Sequence, residues 1–124
     1  STVNTLYTAE ITNTTKTHTA KIGLMYVSDY GYATIPDYWT TNLYNYSSAA
    51  KNKDWLCLGS TEWLVSPFTF KSGSKLSASV NSSGYVSGSI NLTDTFEVRP
   101  SFYLLSSVNY IGGDGTKNSP IRIN

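Results

Sequence analysis

The chain has 124 residues, which is enough for one domain with a single hydrophobic core. Its net charge is +1 and only 14% of its residues are charged, so it lacks the basic field that holds nucleic acid. Composition therefore predicts no nucleic-acid partner and no partner held mainly by charge.

Small polar residues and tyrosine replace the lysine and glutamate that usually cover a soluble domain. The chain has 18 Ser, 16 Thr, 10 Asn and 10 Tyr. Such a surface suits the outside of a cell, where neutral polar groups and aromatic tips meet other molecules, so we predict an extracellular, cell-surface location. The chain begins at Ser1 without a signal-type or spanning apolar run, and any membrane attachment is expected through an upstream anchor.

The N-terminal segment is almost entirely small and polar. Residues 1–19 predict an extended arm or an edge strand at the start of a single domain that covers residues 1–124. His18, the only histidine, has no Cys, Asp or Glu at metal-ligand spacing, so we interpret it as an ordinary surface residue.

Apolar alternation predicts the first strand at residues 21–27. Ile22, Leu24 and Tyr26 share one face at period two and are expected to face the core. The next residues, 28–36, mix Asp, Gly and Pro with aromatics, which is typical of a folded loop.

The middle of the chain predicts a helix followed by short strands. Residues 37–53 favour a helix with an aspartate N-cap, although their asparagines and threonines leave one or two short turns as the alternative. Residues 55–59 and 62–67 predict short buried strands, the second ended by its proline. Residues 68–95 alternate small polar and apolar side chains and predict a hairpin or a three-stranded meander.

The densest apolar part of the chain is residues 97–105, which we predict to be the central strand. A glycine-rich turn at 112–116, which requires positive φ, closes it before a last short run at 121–123. The residues expected to share one core are Trp55, Trp63, Val98, Phe102 and Leu104.

Two single residues receive structural interpretations. Arg99 stands among apolar neighbours and must find carboxylate or carbonyl partners, so it is expected to tie loops to the central strand. Cys57 has no second cysteine to pair with and is expected to be a small buried apolar residue.

The chain offers few groups for catalysis or metal binding. It has eight carboxylates, one histidine and one cysteine, with no Ser/His/Asp order and no glycine-rich phosphate loop. The string at 112–115 matches one glycine-aspartate calcium repeat, but calcium takes about six to eight oxygens and one copy supplies one carboxylate. We therefore predict a non-enzymatic protein that needs no metal and no other cofactor.

Tyrosine is concentrated in one irregular stretch, residues 30–54. The ten tyrosines of the chain exceed what a core of this size should absorb, and five lie here beside several asparagines. We predict a contact surface for a ligand; the alternative is that these rings fill a satellite core beneath loops. The candidate ligand-binding residues are Tyr30, Tyr32, Tyr38, Tyr44 and Tyr46.

Five strings stand along the chain in this order: KIGLMYVSDYGYA (21–33), EWLVSP (62–67), NSSGYV (81–86), VRPSFYLLSSV (98–108) and GGDGTKNSPIRI (112–123). In these strings the chain resembles a family of Firmicute surface domains of unknown function, some attached to prepilin-type segments, which carry VRPxxYL and GDGT motifs. That layout is similar to the C-type-lectin-like fold. The resemblance implies an α+β, mostly β fold with short helices and an antiparallel sheet. The calcium motifs of sugar-binding lectins are absent, so calcium-dependent sugar binding is not implied.

These features predict a non-enzymatic binding or adhesion module of a bacterial surface, forming the C-terminal part of a larger surface or pilin-like protein. Aromatic rings give contact area at low entropic cost, and small polar groups give adaptable hydrogen bonds. The expected partner is a protein or a glycan on another surface. The alternative is a structural subunit domain of a type IV pilus or pseudopilus, whose partners are neighbouring subunits.

Overall fold

The computed structural model of the chain describes residues 1–12, 19–51, 53–69, 75–114, 116 and 118–124; His18 lies outside them. The described part is a small α+β protein with short helices and mostly antiparallel strands. Its helices are α1 (Val3–Thr12), α2 (Val27–Tyr32) and α3 (Ser47–Ala50), with 3₁₀ turns at Pro36–Tyr38 and Leu43–Asn45. Its strands are β1 (Gly23–Leu24), β2 (Glu62–Thr69), β3 (Lys75–Val80), β4 (Val86–Asn91), β5 (Pro100–Ser101), β6 (Tyr110–Gly112) and β7 (Arg122–Ile123).

The polar N-terminal segment forms helix α1, so the predicted extended arm is wrong for residues 3–12. Thr2 precedes the helix, and its Oγ1 accepts a hydrogen bond from the Thr5 backbone N–H at 3.4 Å. Threonine hydroxyls inside the helix donate to carbonyls four residues earlier, which satisfies them without breaking the helix. Val3 is fully buried, and α1 packs against α2. None of the described helices is long and apolar enough to cross a bilayer.

The first predicted strand is short and turns its other face to the core. The chain enters α2 almost at once, because the Tyr26 N–H donates to Asp29 Oδ2 at 2.8 Å and so fixes the start of that helix. Met25 and Val27 are buried, whereas Ile22 is 62% exposed. The predicted core face is therefore reversed, and the predicted loop that follows is helical in its first half.

Short helical turns replace the predicted long helix at residues 37–53. This agrees with the alternative prediction of short turns for these residues. Asp37 lies inside the first 3₁₀ turn and does not cap a helix. Asn42 is the N-cap of the second 3₁₀ turn, and its Oδ1 accepts a hydrogen bond from the Tyr44 N–H at 3.0 Å. Side-chain capping of this kind stabilises separate turns where helix propensity is low.

The main sheet has the strand order β2-β3-β4 with antiparallel pairing, so residues 68–95 contain the predicted hairpin, β3 and β4, and the third strand is supplied by β2. Its first strand begins at Glu62 and runs through Pro67, so the predicted end at that proline is wrong. Pro67 sits where the β2–β3 register shifts and on the outermost strand of this sheet, a position that tolerates a missing N–H. Residues 55–59 form turns and bends instead of a strand.

The core lies between the helical segments and one face of the main sheet, and two tyrosines stand in it. Tyr30 and Tyr46 are fully buried with ring centroids 6.3 Å apart. Their hydroxyls donate to the carbonyls of Gly84 at 2.7 Å and Gly31 at 2.8 Å, which satisfies both polar groups inside the core. The buried apolar residues are Val3, Met25, Val27, Tyr30, Leu43, Tyr46, Ala49, Ala50, Leu64, Ala78, Val80 and Val86.

The predicted central strand is wrong. Only β5 is regular within it, and β5 pairs with the two residues of β1. Pro100 has no N–H to donate, so this segment cannot extend its ladder in the way a central strand does. Trp63 is half-buried against Phe96, with ring centroids 4.9 Å apart. The other predicted core residues are exposed: Trp55 by 75%, Val98 by 62%, Phe102 by 64% and Leu104 by 53%.

Arg99 forms an ion pair with the carboxylate of Glu62, as predicted from its apolar neighbours in the sequence. Its Nη2 lies 2.5 Å from Oε1 of Glu62, which is buried on β2. A main-chain hydrogen bond also connects the two segments that carry this ion pair: the Trp63 N–H donates to the Glu97 carbonyl at 3.0 Å. The second carboxylate oxygen of Glu62 has no partner among the described residues.

The glycine-rich turn adopts positive φ as predicted. Gly112 has φ of 149° and Gly113 has φ of 95°. Oδ1 of Asp114 accepts a hydrogen bond from the Thr116 N–H at 3.0 Å, and this bond holds the pKa of the carboxyl below its usual value. The carboxylate is thus used to stabilise the turn.

Candidate functional site

The five candidate tyrosines do not share one surface. Tyr30 and Tyr46 are fully buried and belong to the main hydrophobic core, so neither ring presents a surface to a ligand. Burial raises the pKa of both phenols, that of Tyr46 to about 12. Their hydroxyls are neutral donors inside the core, because no water reaches them to stabilise a phenolate.

Tyr32 and Tyr38 are half-buried and are held by neighbours. The Tyr32 hydroxyl donates to Asn4 Oδ1 at 2.8 Å, which links α2 to α1. The Tyr38 hydroxyl accepts from Lys53 Nζ at 2.7 Å, and the same ammonium lies 4.8 Å from the ring centroid. Each ring is therefore partly exposed and is held by a contact of its hydroxyl with another element.

Tyr44 is the candidate that is clearly exposed, by 68%. Its ring lies against Tyr85, with centroids 5.4 Å apart. The two rings are tilted by 49° to each other, and their contact joins the second 3₁₀ turn to the residue before β4. We call Tyr44 and Tyr85 the tyrosine pair.

A cleft of about 610 Å³ is lined by residues that lie close to Tyr44 and Tyr85 along the sequence. It falls within the range of about 300–1,000 Å³ that is usual for ligand pockets. We call it the serine cleft because hydroxyl groups dominate its polar lining. Its lining residues are Ser47, Ser48, Ala50, Lys51, Cys57, Leu58, Gly59, Ser82 and Ser83.

One wall of the serine cleft is the tight turn between β3 and β4. Asn81 Oδ1 accepts from the Ser83 N–H at 2.7 Å, and the Gly84 N–H donates to the Asn81 carbonyl at 2.7 Å. This Asx turn leaves Ser82 and Ser83 exposed at the hairpin tip. Their backbone is therefore fixed while their hydroxyls stay free to rotate toward a ligand.

The opposite wall comes from α3 and the residue that ends it. The Lys51 N–H donates to the Ser47 carbonyl at 3.1 Å, so the lysine and the serine lie one helical turn apart on one side of the helix. Lys51 is exposed, and among the described residues its ammonium forms no ion pair or hydrogen bond. It brings the one positive charge among the described lining residues.

The floor of the cleft is closely packed. A Cβ placed on Gly84 would lie 2.3 Å from Ala50 Cβ, 3.1 Å from Cys57 Sγ and 3.2 Å from the Tyr30 hydroxyl. Cys57 is half-buried, so the expectation of full burial is only partly correct. The thiol faces this crowded floor, and the cleft therefore rests directly on the tyrosine core.

A buried carboxylate lies behind this floor. Asp54 is 5% exposed, its Oδ1 accepts from the Leu56 N–H at 2.8 Å, and its Oδ2 has no partner among the described residues. Burial raises the pKa of Asp54 to about 6, against the lowering effects of the Leu56 N–H and the charge of Arg99. Asp54 raises the pKa of Tyr30 and Tyr46 in turn, after burial itself.

Sequence patterns alone did not identify the residues of the serine cleft. The residues not singled out for binding are Ser47, Ser48, Lys51, Ser82 and Ser83. The signal was present at residues 81–84, where Asn-Ser-Ser-Gly predicts a tight turn, but nothing in the pattern pairs that turn with a helix more than thirty residues earlier. Within the described part of the chain, no three His, Cys, Asp or Glu side chains are grouped as metal ligands would be.

No model of a known protein family, no curated protein and no solved structure matches this chain.

Proposed function

We propose that the protein is a non-enzymatic binding module of a bacterial cell surface, whose contact face is the serine cleft together with the tyrosine pair. The observation that carries the proposal is the cleft of about 610 Å³, whose serine hydroxyls form no side-chain hydrogen bonds with other described residues. A concave face with unused donors and acceptors is suited to holding a polar ligand, and the exposed ring of Tyr44 lies near it along the chain. The partner is a protein or a glycan on another surface.

The chemistry of the cleft favours binding over catalysis. Its described lining has one ammonium, one thiol and several hydroxyls, with neither a carboxylate nor an imidazole among them. Carboxylates and imidazoles are the usual general bases near neutral pH, and the described lining supplies neither. Neutral hydroxyls on a fixed turn can instead form several ligand hydrogen bonds at small entropic cost.

The resemblance in five strings supports the same proposal. We propose membership of the Firmicute surface-domain family and, within the α+β class, a C-type-lectin-like arrangement. The string NSSGYV lies at the serine cleft and ends one residue after Tyr85. An extracellular location and a position at the end of a larger surface or pilin-like protein belong to this proposal.

The test is adhesion of the purified domain with Tyr44→Ala and, as a matched control, Tyr103→Ala. Tyr103 is 91% exposed and lies outside the serine cleft. Tyr44→Ala is expected to weaken binding to a glycan array or to whole cells by about tenfold, the effect of losing one aromatic contact. The melting temperatures of both variants should match that of the parent protein. Equal binding by the two variants, or no binding of the parent to any surface, would contradict the proposal.

A second function, that of a structural subunit, is favoured by the C-terminal part of the chain. Large apolar side chains between residues 98 and 123 are exposed by nearly half or more, and such side chains are suited to burial against a partner surface. Neighbouring subunits of a pilus or pseudopilus would cover such side chains. The residues concerned are Val98, Phe102, Tyr103, Leu104, Leu105, Tyr110, Ile111, Ile121 and Ile123.

A further inference from the structure

We infer that the serine cleft takes an acidic sugar unit, with the carboxylate of the sugar paired to Lys51. The inference rests on the proposed binding function and names the ligand class of the same site. It is drawn from three features of the cleft: its charge, its hydrogen-bonding groups and its size.

The charge of the cleft is one-sided. Lys51 is the one cation among its described lining residues, and no described lining residue is acidic. Lys53, two positions further along, differs in that it donates to the Tyr38 hydroxyl and lies over that ring. Lys51 is thus an ammonium without a protein partner in the described chain, and a carboxylate is the group that forms its strongest hydrogen bonds.

The hydrogen-bonding groups require a ligand that both donates and accepts. Ser47, Ser48, Ser82 and Ser83 each offer one donor and two acceptor lone pairs, and none forms a side-chain hydrogen bond to another described residue. A simple oxyanion only accepts, so it would leave the acceptor capacity of these hydroxyls to water. A polyhydroxylated ring uses both functions.

The size of the site excludes a small ion as its full occupant. The volume of about 610 Å³ accommodates one or two sugar rings, whereas water occupies only about 30 Å³ in the liquid. Tyr85 follows the same hairpin turn and contacts Tyr44, whose ring is 68% exposed and offers an apolar surface outside the cleft.

The experiment follows amide chemical shifts of the isotopically labelled protein during titration with glucuronate, glucose and acetate. Glucuronate is expected to shift the amides of Gly59, Ser82 and Ser83 and to bind about five- to tenfold more tightly than glucose, the worth of one partly exposed charge-assisted bond. Acetate should bind more weakly than both. Raising the salt concentration should reduce the preference for glucuronate, since an exposed ion pair is screened.

Two matched variants separate Lys51 from its neighbour. Lys51→Gln should lower glucuronate affinity to that of glucose, while Lys53→Gln should leave both affinities unchanged. Equal affinities for glucuronate and glucose, with no effect of Lys51→Gln, would overturn the acidic preference and leave the binding function standing. Acetate binding as tightly as glucuronate would overturn the choice of a sugar in favour of any carboxylate, including an acidic peptide. Absence of any shift at the cleft, in a protein that still adheres to cells, would remove the cleft from the contact face.

Discussion

The buried carboxyl group of Asp54 gives the protein a pH-dependent stability. Its pKa lies near 6 in the folded chain against 3.8 without burial, so the folded state favours the protonated form. The stabilisation from protonation is fully present below pH 3.8 and is lost as the pH rises through 6. A shift of about two units corresponds to roughly 3 kcal/mol of unfolding free energy across that range.

We predict that Asp54→Asn stabilises the protein at pH 7.5 by about 2–3 kcal/mol and leaves it nearly unchanged at pH 3.5. The amide oxygen can still accept from the Leu56 N–H, while no charge is buried. Urea unfolding of both proteins at several pH values measures the difference. Two stability curves that run parallel from pH 3.5 to 7.5 would show that folding does not change the pKa of Asp54.

Single residues also explain why only part of the site could be predicted. Tyrosine density drew attention to residues 30–54, and Tyr44 is exposed there. The pattern could not separate Tyr44 from Tyr46, because both lie in the same polar stretch, residues 42–46, and differ only in which side of a short turn they occupy. Burial of Tyr46 depends on its hydroxyl reaching the Gly31 carbonyl at 2.8 Å, a contact between different elements.

At the scale of elements, the serine cleft depends on two turns with positive φ that differ in their surroundings. Gly59 has φ of 80° and nothing within 4 Å of its would-be Cβ, whereas Gly84 has φ of 88° and meets Ala50 at 2.3 Å. A side chain at Gly59 therefore costs only backbone strain. A side chain at Gly84 adds a clash with the floor of the cleft.

We predict a graded series of unfolding free energies for alanine at three glycines. Gly23→Ala, where φ is not positive and space is open, should change stability by less than about 0.5 kcal/mol. Gly59→Ala should cost about 1–2 kcal/mol from strain alone. Gly84→Ala should cost about a further 1–3 kcal/mol from overpacking. Equal losses at Gly59 and Gly84 would mean that the floor of the cleft is not packed as described.

Elements with local signals were predictable, and those set by distant contacts were not. The meander follows from alternation and from the turn at Asn81, both of which are local. Helix α1 was missed because its threonines suggest an extended chain, although Val3, Leu6 and Glu10 recur at helical spacing. Glu10 also connects α1 to two other elements, since its carboxylate accepts hydrogen bonds from Ser28 on α2 and Ser66 on β2.

At the scale of the whole molecule, apolar residues are divided between a packed part and an open part. The helices, their connecting turns and the β2-β3-β4 sheet bury the core, whereas the segment after Val98 leaves its apolar side chains in solvent. The high density of apolar residues led to the wrong prediction of a core strand at residues 97–105. Such a density measures how hydrophobic a segment is, but not whether other elements pack against it. The strands here are two or three residues long, and their pairs bury little side-chain surface.

This division predicts the pattern of amide hydrogen exchange. The amides of residues 78–80, in the middle strand of the main sheet, should be the slowest to exchange, since they open only with the core. The amides of residues 103–105 donate to no carbonyl of the described chain and should exchange within seconds.

A concentration series of the same measurement separates the two proposed functions. For a free binding module, exchange at residues 103–105 should stay fast from micromolar to millimolar protein, with residues 78–80 as the invariant reference. For a structural subunit, protection at 103–105 should rise with concentration, because a second copy would cover side chains such as Tyr103 and Leu105, which are 91% and 77% exposed. Loss of that rise in Leu105→Ser, with the reference amides unchanged, would assign the protection to this segment and would displace the binding module as the main function.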